Sequence, residues 1–271
     1  MKVLAVVEDA STARACLSAA AAIGSRLPLS ASVVALHIVV DMAHAVTSGE
    51  EVAMQHLLEV NQGTALERAS ATREAFSAWL AEDPAKGPAV RWKEITDAVG
   101  KGLARESRDM DLLVLAKPCK VQGRHALRAA FFVCARPILL VPEHWSSAGE
   151  SLGVHIAIAW NNTLACRRAA VGAQPWLRQA DHVTIIMIGQ GAENAGDVVG
   201  LLCANGVVPS FRRVARSPAK LGQQIVDEAQ AIGADLLVAG AYRHGTAFDW
   251  LAGRTTRQML RRADMPLFLA H

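Results

Sequence analysis

The chain repeats itself, and that repetition limits its fold more than any single motif does. Residues 3–24 read VLAVVEDASTARACLSAAAAIG and residues 155–177 read HIAIAWNNTLACRRAAVGAQPWL. Each is an apolar strand, a polar pair and then an Ala-rich segment with helical spacing. Glu8-Asp9 falls opposite Asn161-Asn162. Further on, DMDLLVLAKP (109–118) matches GADLLVAGAY (233–242). Each half closes on a strand that starts at a proline, RPILLVP (136–142) and MPLFLA (265–270). A chain of 271 residues has room for two such units. The repeats predict domains at 1–145 and 153–271, joined by the Ser-, Gly- and Pro-rich stretch PEHWSSAGESLG (142–153).

Between these anchors strands and helices alternate. In the first half, ASVVALHIVV and AVRWKEI read as strands, and residues 50–81 and 97–108 carry helical spacing. In the second half, HVTIIMI and VVPSFRRVA read as strands, with helices over 194–205, 218–232 and 254–263. The strands are short and nearly continuous in Val, Ile, Leu and Ala, as parallel strands buried on both faces must be. Right-handed crossovers then give two tandem, doubly wound, Rossmann-like α/β sandwich domains, each with a five-stranded parallel sheet.

Composition removes several classes. No apolar run approaches the roughly 18 residues of a membrane helix. MKVLAVVEDA is too short in apolar residues and too acidic for a signal peptide, so it reads as a first strand of a cytoplasmic protein. The five cysteines form no Cys-x-x-Cys pair and read as reduced core residues. The net charge of +3 is too small to argue for a nucleic-acid partner. It lies in residues 147–271, where 11 of 12 basic residues are Arg and Lys220 is the one lysine. A Lys-based phosphate loop is therefore not expected there.

In an open parallel sheet, ligands sit beyond the carboxyl ends of the strands, where strand order reverses. Asn161-Asn162, Gly189 and the loop from Gly240 are expected to converge there. A helix starting near Gly253 aims free backbone N–H groups at that crevice and attracts anions. Thr255 and Thr256 add hydroxyls, and Arg254, Arg257, Arg261 and Arg262 add charge. Arg257, Arg261 and Arg262 read first as a solvated basic face that also suits the helix C-terminus. Arg254 is different, because a cation at a helix start is unfavourable unless an anion lies beside it.

These residues resemble the universal stress protein family in its tandem form, over nearly the whole chain and most closely over 233–271. Nucleotide-binding members of that family read G-x2-G-x9-G-[ST] after the fourth strand. Gly240 and Gly253 match the first and third positions. Arg243 stands at the second, and Arg254 at the fourth with Thr255 one place later. The stretch also resembles a bacterial subgroup in which Tyr242, His244 and Thr256-Arg257 find counterparts. An Asp ends the first strand in binding members; Asn161 stands here and offers hydrogen bonds without charge. Arg243 either fills the space where backbone meets phosphate or folds over the phosphates as a planar clamp. The resemblance implies ATP or another adenine nucleotide at Asn161, Asn162, Gly189, Gly240, Arg243, Gly253, Arg254 and Thr255. It also implies pairing of the two domains through PILLVP and PLFLA, with a homodimer as a further assembly.

The first half keeps no spaced glycine pair in KPCKVQGRHALRAAFFVCARP, and its basic residues there read as a solvated loop. His37, Asp41 and His44 lack a further ligand for zinc, so no metal is expected. GQGAENAG (189–196) departs from a dinucleotide fingerprint at Asn194 and follows the second strand rather than the first. His244 has no nucleophile beside it, and neither HExxH, GxSxG nor a Walker lysine occurs. No catalytic residue is assigned. The expected role is a stress-response protein that binds a ligand or signals. A non-nucleotide-binding interaction protein and a very slow ATPase are the alternatives.

Overall fold

The computed structural model describes residues 1–27, 32–40, 49–82, 90–117, 124–146, 151–189, 195–241 and 254–271. Contacts divide the chain into two units. One is Met1–Arg136 with Glu143–Ser146, and the other is Pro137–Pro142 with Ser147–His271. The strand Ile138–Val141 closes the first repeat in sequence yet groups with the second unit.

The first unit runs β1 (Lys2–Val6), α1 (Ala10–Ser25), β2 (Ser32–Val39), α2 (Gly49–Gln62), α3 (Ala65–Glu82), β3 (Val90–Thr96), α4 (Val99–Glu106), β4 (Leu112–Ala116) and α5 (Arg124–Ala129). α5 widens into a π-type turn over Ala130–Cys134 and ends at Ala135 in the left-handed region. The sheet order is β3-β2-β1-β4, with β1 parallel to both neighbours. Val3, Leu4, Ala5 and all of β4 are buried, each large aliphatic contributing about 1.5–3 kcal/mol. Asp9 starts α1 by accepting the Thr12 N–H at 2.9 Å. α3 packs on α1, where the Trp79 indole N–H donates to Ser18 Oγ at 2.9 Å.

The helical spacing over 50–81 resolves into two helices. Gly63 adopts φ +83° between them, and Thr64 and Glu67 cap α3 reciprocally. The Thr64 N–H donates to Glu67 Oε2 at 2.7 Å, and the Glu67 N–H to Thr64 Oγ1 at 3.3 Å.

The second unit runs β5 (Ile138–Val141), β6 (His155–Ala159), α6 (Leu164–Gly172), α7 (Gln174–Leu177), β7 (His182–Ile188), α8 (Gly196–Cys203), β8 (Ser210–Val214), α9 (Leu221–Ala231), β9 (Leu236–Gly240), α10 (Arg254–Arg262) and β10 (Leu267–Ala270). Its strand order is β5-β10-β9-β6-β7-β8. Five strands run parallel, and β5 lies antiparallel on β10 with Phe268 opposite Leu139. PILLVP and PLFLA are thus strand partners. All ten strands of the sequence reading form, five in each half of the chain.

The aspartate repeated before the fourth strand of each half has one job in both. Asp111 accepts the Lys2 N–H at 2.7 Å. Asp235 accepts the N–H groups of Gly153, Val154 and His155 at 2.9, 2.9 and 3.2 Å. Each carboxylate thereby ties the start of the first strand to the fourth. The cysteine expectation needs one correction: Cys16, Cys134 and Cys166 are buried, but Cys203 is exposed at the end of α8. Cys119 lies outside the described residues. Among the described residues no helix is long and apolar enough to cross a membrane.

Candidate functional site

Strand register gathers three of the expected positions in the second unit. Ala159 of β6 pairs with Ala239 of β9 and with Ile186 of β7. Asn161, Gly189 and Gly240 follow those residues by one to three places, so they sit at the carboxyl ends of adjacent strands. From β6 the chain winds outward to β7 and β8, then returns to β9 and winds the other way to β10. The crevice at β6 and β9 is therefore the topological switch point.

Each of these positions has a local cause. Asn161 is exposed, and its carbonyl oxygen accepts from Thr163 Oγ1 at 2.8 Å and from the Cys166 thiol at 2.9 Å. Asn162 takes φ +55°, a conformation Asn tolerates better than most residues. Its carbonyl oxygen accepts from Arg167 at 2.8 Å, and Arg167 also pairs with Asp197. Asn162 is thus committed to the turn into α6. Gly189 adopts φ +85° and donates its N–H to the Val214 carbonyl at 2.9 Å. Gly240 lies against the first turn of α6, where an added Cβ would come within 2.6 Å of the Cys166 nitrogen.

Arg254 and Thr255 begin α10 and line a cavity of about 650 Å³ on the side toward α9. Five cations surround it: Arg216, Lys220, Arg254, Arg257 and Arg261. Lys220 stands just ahead of α9, and Arg216 lies in the loop after β8. Gln258 joins the two helices by accepting the Gly222 N–H at 2.9 Å. The arginines of α10 divide: Arg262 pairs with Asp227 at 2.8 Å, whereas Arg254, Arg257 and Arg261 face the cavity. Arg216, Lys220 and Gln258 escaped the sequence reading. The sequence pattern points to the loops after the first, second and fourth strands at this edge of the sheet, and not to the loop after the third. In a parallel sheet that loop ends on the same edge.

Arg243 and Gly253 lie outside the described residues, as do Tyr242, His244, Trp250, Asp41, His44 and Asn194. His37 is buried, and its Nδ1 donates to the Val7 carbonyl at 2.8 Å. Burial holds its pKa below the usual imidazole range.

Comparison with solved structures matches this architecture along the whole chain. A universal stress protein from Archaeoglobus fulgidus DSM 4304 aligns with a TM-score of 0.64 at 12% identity, covering 99% of this chain and 97% of that one. The chain has the universal stress protein fold. A functionally unknown protein from Pseudomonas aeruginosa PAO1 aligns with a TM-score of 0.57 at 14% identity, covering 99% of this chain and 92% of that one. No protein-family model and no curated protein matches the sequence.

In the first unit of this universal stress fold, Glu8 stands where Asn161 stands in the second. Its carboxyl accepts the backbone N–H of Ala126 in α5. Part of the side chain reaches solvent, yet protein closely surrounds the carboxyl. Burial first, and the neighbouring Asp9 second, push its pKa well above the usual glutamate range, against the pull of the Ala126 N–H. The folded state thus holds this proton more tightly than the unfolded chain does. Stability from this group is intact below the ordinary glutamate pKa of about 4.3 and is lost as pH rises through the raised value. Glu8→Gln keeps an acceptor for Ala126 and removes the charge. The variant is expected to show a higher urea midpoint than wild type at neutral pH, with the difference closing near pH 4. Equal midpoints across that range would contradict the assignment.

Proposed function

We propose that the chain is a tandem universal stress protein, with repeats at 1–145 and 153–271, whose second repeat binds an adenine nucleotide. The adenosine lies in the crevice bounded by Asn161, Gly189 and Gly240, and its phosphates lie at the start of α10 beside Arg254 and Thr255. The observation that carries this reading is the meeting of those strand ends at the switch point next to a helix start that bears cations instead of acids. Arg243 and Gly253 complete the loop in this reading. The role is binding and signalling in the cytoplasm, with no catalytic residue and no metal.

Isothermal calorimetry of the full chain with ATP tests it. Saturable heat is expected, and Asn161→Ala is expected to weaken binding roughly tenfold, about the worth of one good hydrogen bond. Absence of heat at millimolar ATP would remove the nucleotide reading and leave a non-nucleotide interaction protein.

A further inference from the structure

The cavity beside α9 extends past the place where a nucleotide loop alone would hold phosphate. Arg254 and Thr255 mark one end. From there it follows α10 to Arg257 and Arg261, and is bordered by Arg216 and Lys220 from the stretch ahead of α9. Two of these cations, Lys220 and Arg254, stand at helix starts, where the dipole disfavours them. Neither α9 nor α10 has an acidic residue in its first turn, and no side chain caps α9. A helix start carries about half a positive charge, and here two of them adjoin a cation-lined cavity.

Among the described residues, three carboxylates of α8 and α9 are engaged elsewhere. Asp227 pairs with Arg262, Glu228 with Arg212 and Asp197 with Arg167. Asp235 serves the β6 backbone. Arg216 gives its hydrogen bonds to the neutral oxygens of Ser217, Ala219 and Gln224 at 3.2, 2.8 and 3.1 Å. Among the described residues, Arg216, Lys220, Arg254 and Arg261 form no ion pair.

Four cations without an ion pair among the described residues, and two helix starts, around one cavity call for a compact multivalent anion. We propose that this cavity is a polyphosphate subsite, which holds a chain of about three phosphates by charge and does not need the base. About three phosphates bring roughly four negative charges, close to the number of cations. Rigid guanidinium forks supply geometry, and Lys220 supplies a point charge. The ligand is thereby recognised from its phosphate end. This deepens the nucleotide reading where the two share Arg254, but it stands on residues that reading does not use.

The experiment is calorimetry of the full chain with inorganic tripolyphosphate, ATP and adenosine, repeated for Lys220→Glu, Arg261→Glu and the outlying Arg178→Glu. Lys220→Glu puts an acid ahead of a helix, where it suits the dipole, so this variant is expected to fold. Tripolyphosphate is expected to bind and to compete with ATP. Lys220→Glu and Arg261→Glu are each expected to weaken it at least tenfold, roughly the effect of one charge-assisted contact, while Arg178→Glu leaves it unchanged. Binding of tripolyphosphate without ATP would uphold the subsite, for a free polyphosphate, and remove the nucleotide reading. Binding of ATP unaffected by Lys220→Glu and Arg261→Glu would uphold the nucleotide and overturn the subsite. Equal losses from all three reversals would mean diffuse charge and would also overturn it.

Discussion

Gly240→Ala is expected to destabilise the second unit by about 3 kcal/mol, the upper end for overpacking a rigid site. Gly240 ends β9 and pairs with Ala270 of β10. An added Cβ would lie 2.6 Å from the Cys166 nitrogen, 2.7 Å from the Ala165 carbonyl carbon and 3.0 Å from the Ala165 Cβ. Two of these neighbours are backbone in the first turn of α6, so no side chain can swing aside. Nor can the turn retreat cheaply. Thr163 caps it, and β6, which leads into it, is hydrogen-bonded to β9. The measurement is the urea midpoint with the slope checked for constancy. A variant within about 0.5 kcal/mol of wild type, the range of ordinary surface substitutions, would show that α6 moves freely. The result also bears on the motif. The sequence suggests that this glycine serves a phosphate loop, whereas the structure gives it a packing duty that exists with or without a ligand.

Much of the fold was legible because burial on two faces leaves a plain signature. LLVLA and LLVAG are strands in any context that hides both sides, and HVTIIMI coincides with β7 to the residue. Repetition then supplied the topology. The break between α2 and α3 was also written in the sequence, as Gly63 followed by Thr64 and, three residues on, Glu67, but the apolar spacing on either side hid it. α5 and its π-type turn were harder, since RHALRAAFFVC has neither a capping residue nor a clean period. The candidate site was half legible. Asn161, Gly189 and Gly240 announce themselves as strand ends. Lys220 and Arg254 are separated by a helix, a strand and a loop, and nothing local says that α9 and α10 lie side by side. That contact depends on Gly222, where a Cβ would meet the Thr255 carbonyl oxygen at 2.2 Å. A lone glycine inside a helical pattern gives no hint of what it touches.

Phe268→Ala is expected to cost 3 to 5 kcal/mol, the range for removing a buried aromatic ring, and so a large share of a stability of about 5–15 kcal/mol. Phe268 has no exposed surface and sits mid-strand in β10, opposite Leu139 of β5. Its ring packs against Trp176, with centroids 5.7 Å apart and planes tilted by 54°, an arrangement favoured beyond its area. Alanine would leave a void walled by Trp176, α6 and Pro137, none of which can close on it without breaking strand or helix bonds. Gly172, the last residue of α6, makes the packing testable. A Cβ there would stand 3.3 Å from Phe268 Cζ and 3.4 Å from Pro137 Cγ. In the wild-type background, Gly172→Ala must push the ring, so it is expected to destabilise despite the helix preference for alanine. In the Phe268→Ala background the ring is gone. The same substitution is then expected to stabilise by up to about 1 kcal/mol, from helix propensity and partial filling of the void. The sign reversal is the measurement, read from urea midpoints of the four proteins of the cycle. Additive effects would mean that the ring does not rest on α6 and that β10 is held by its strand partners alone.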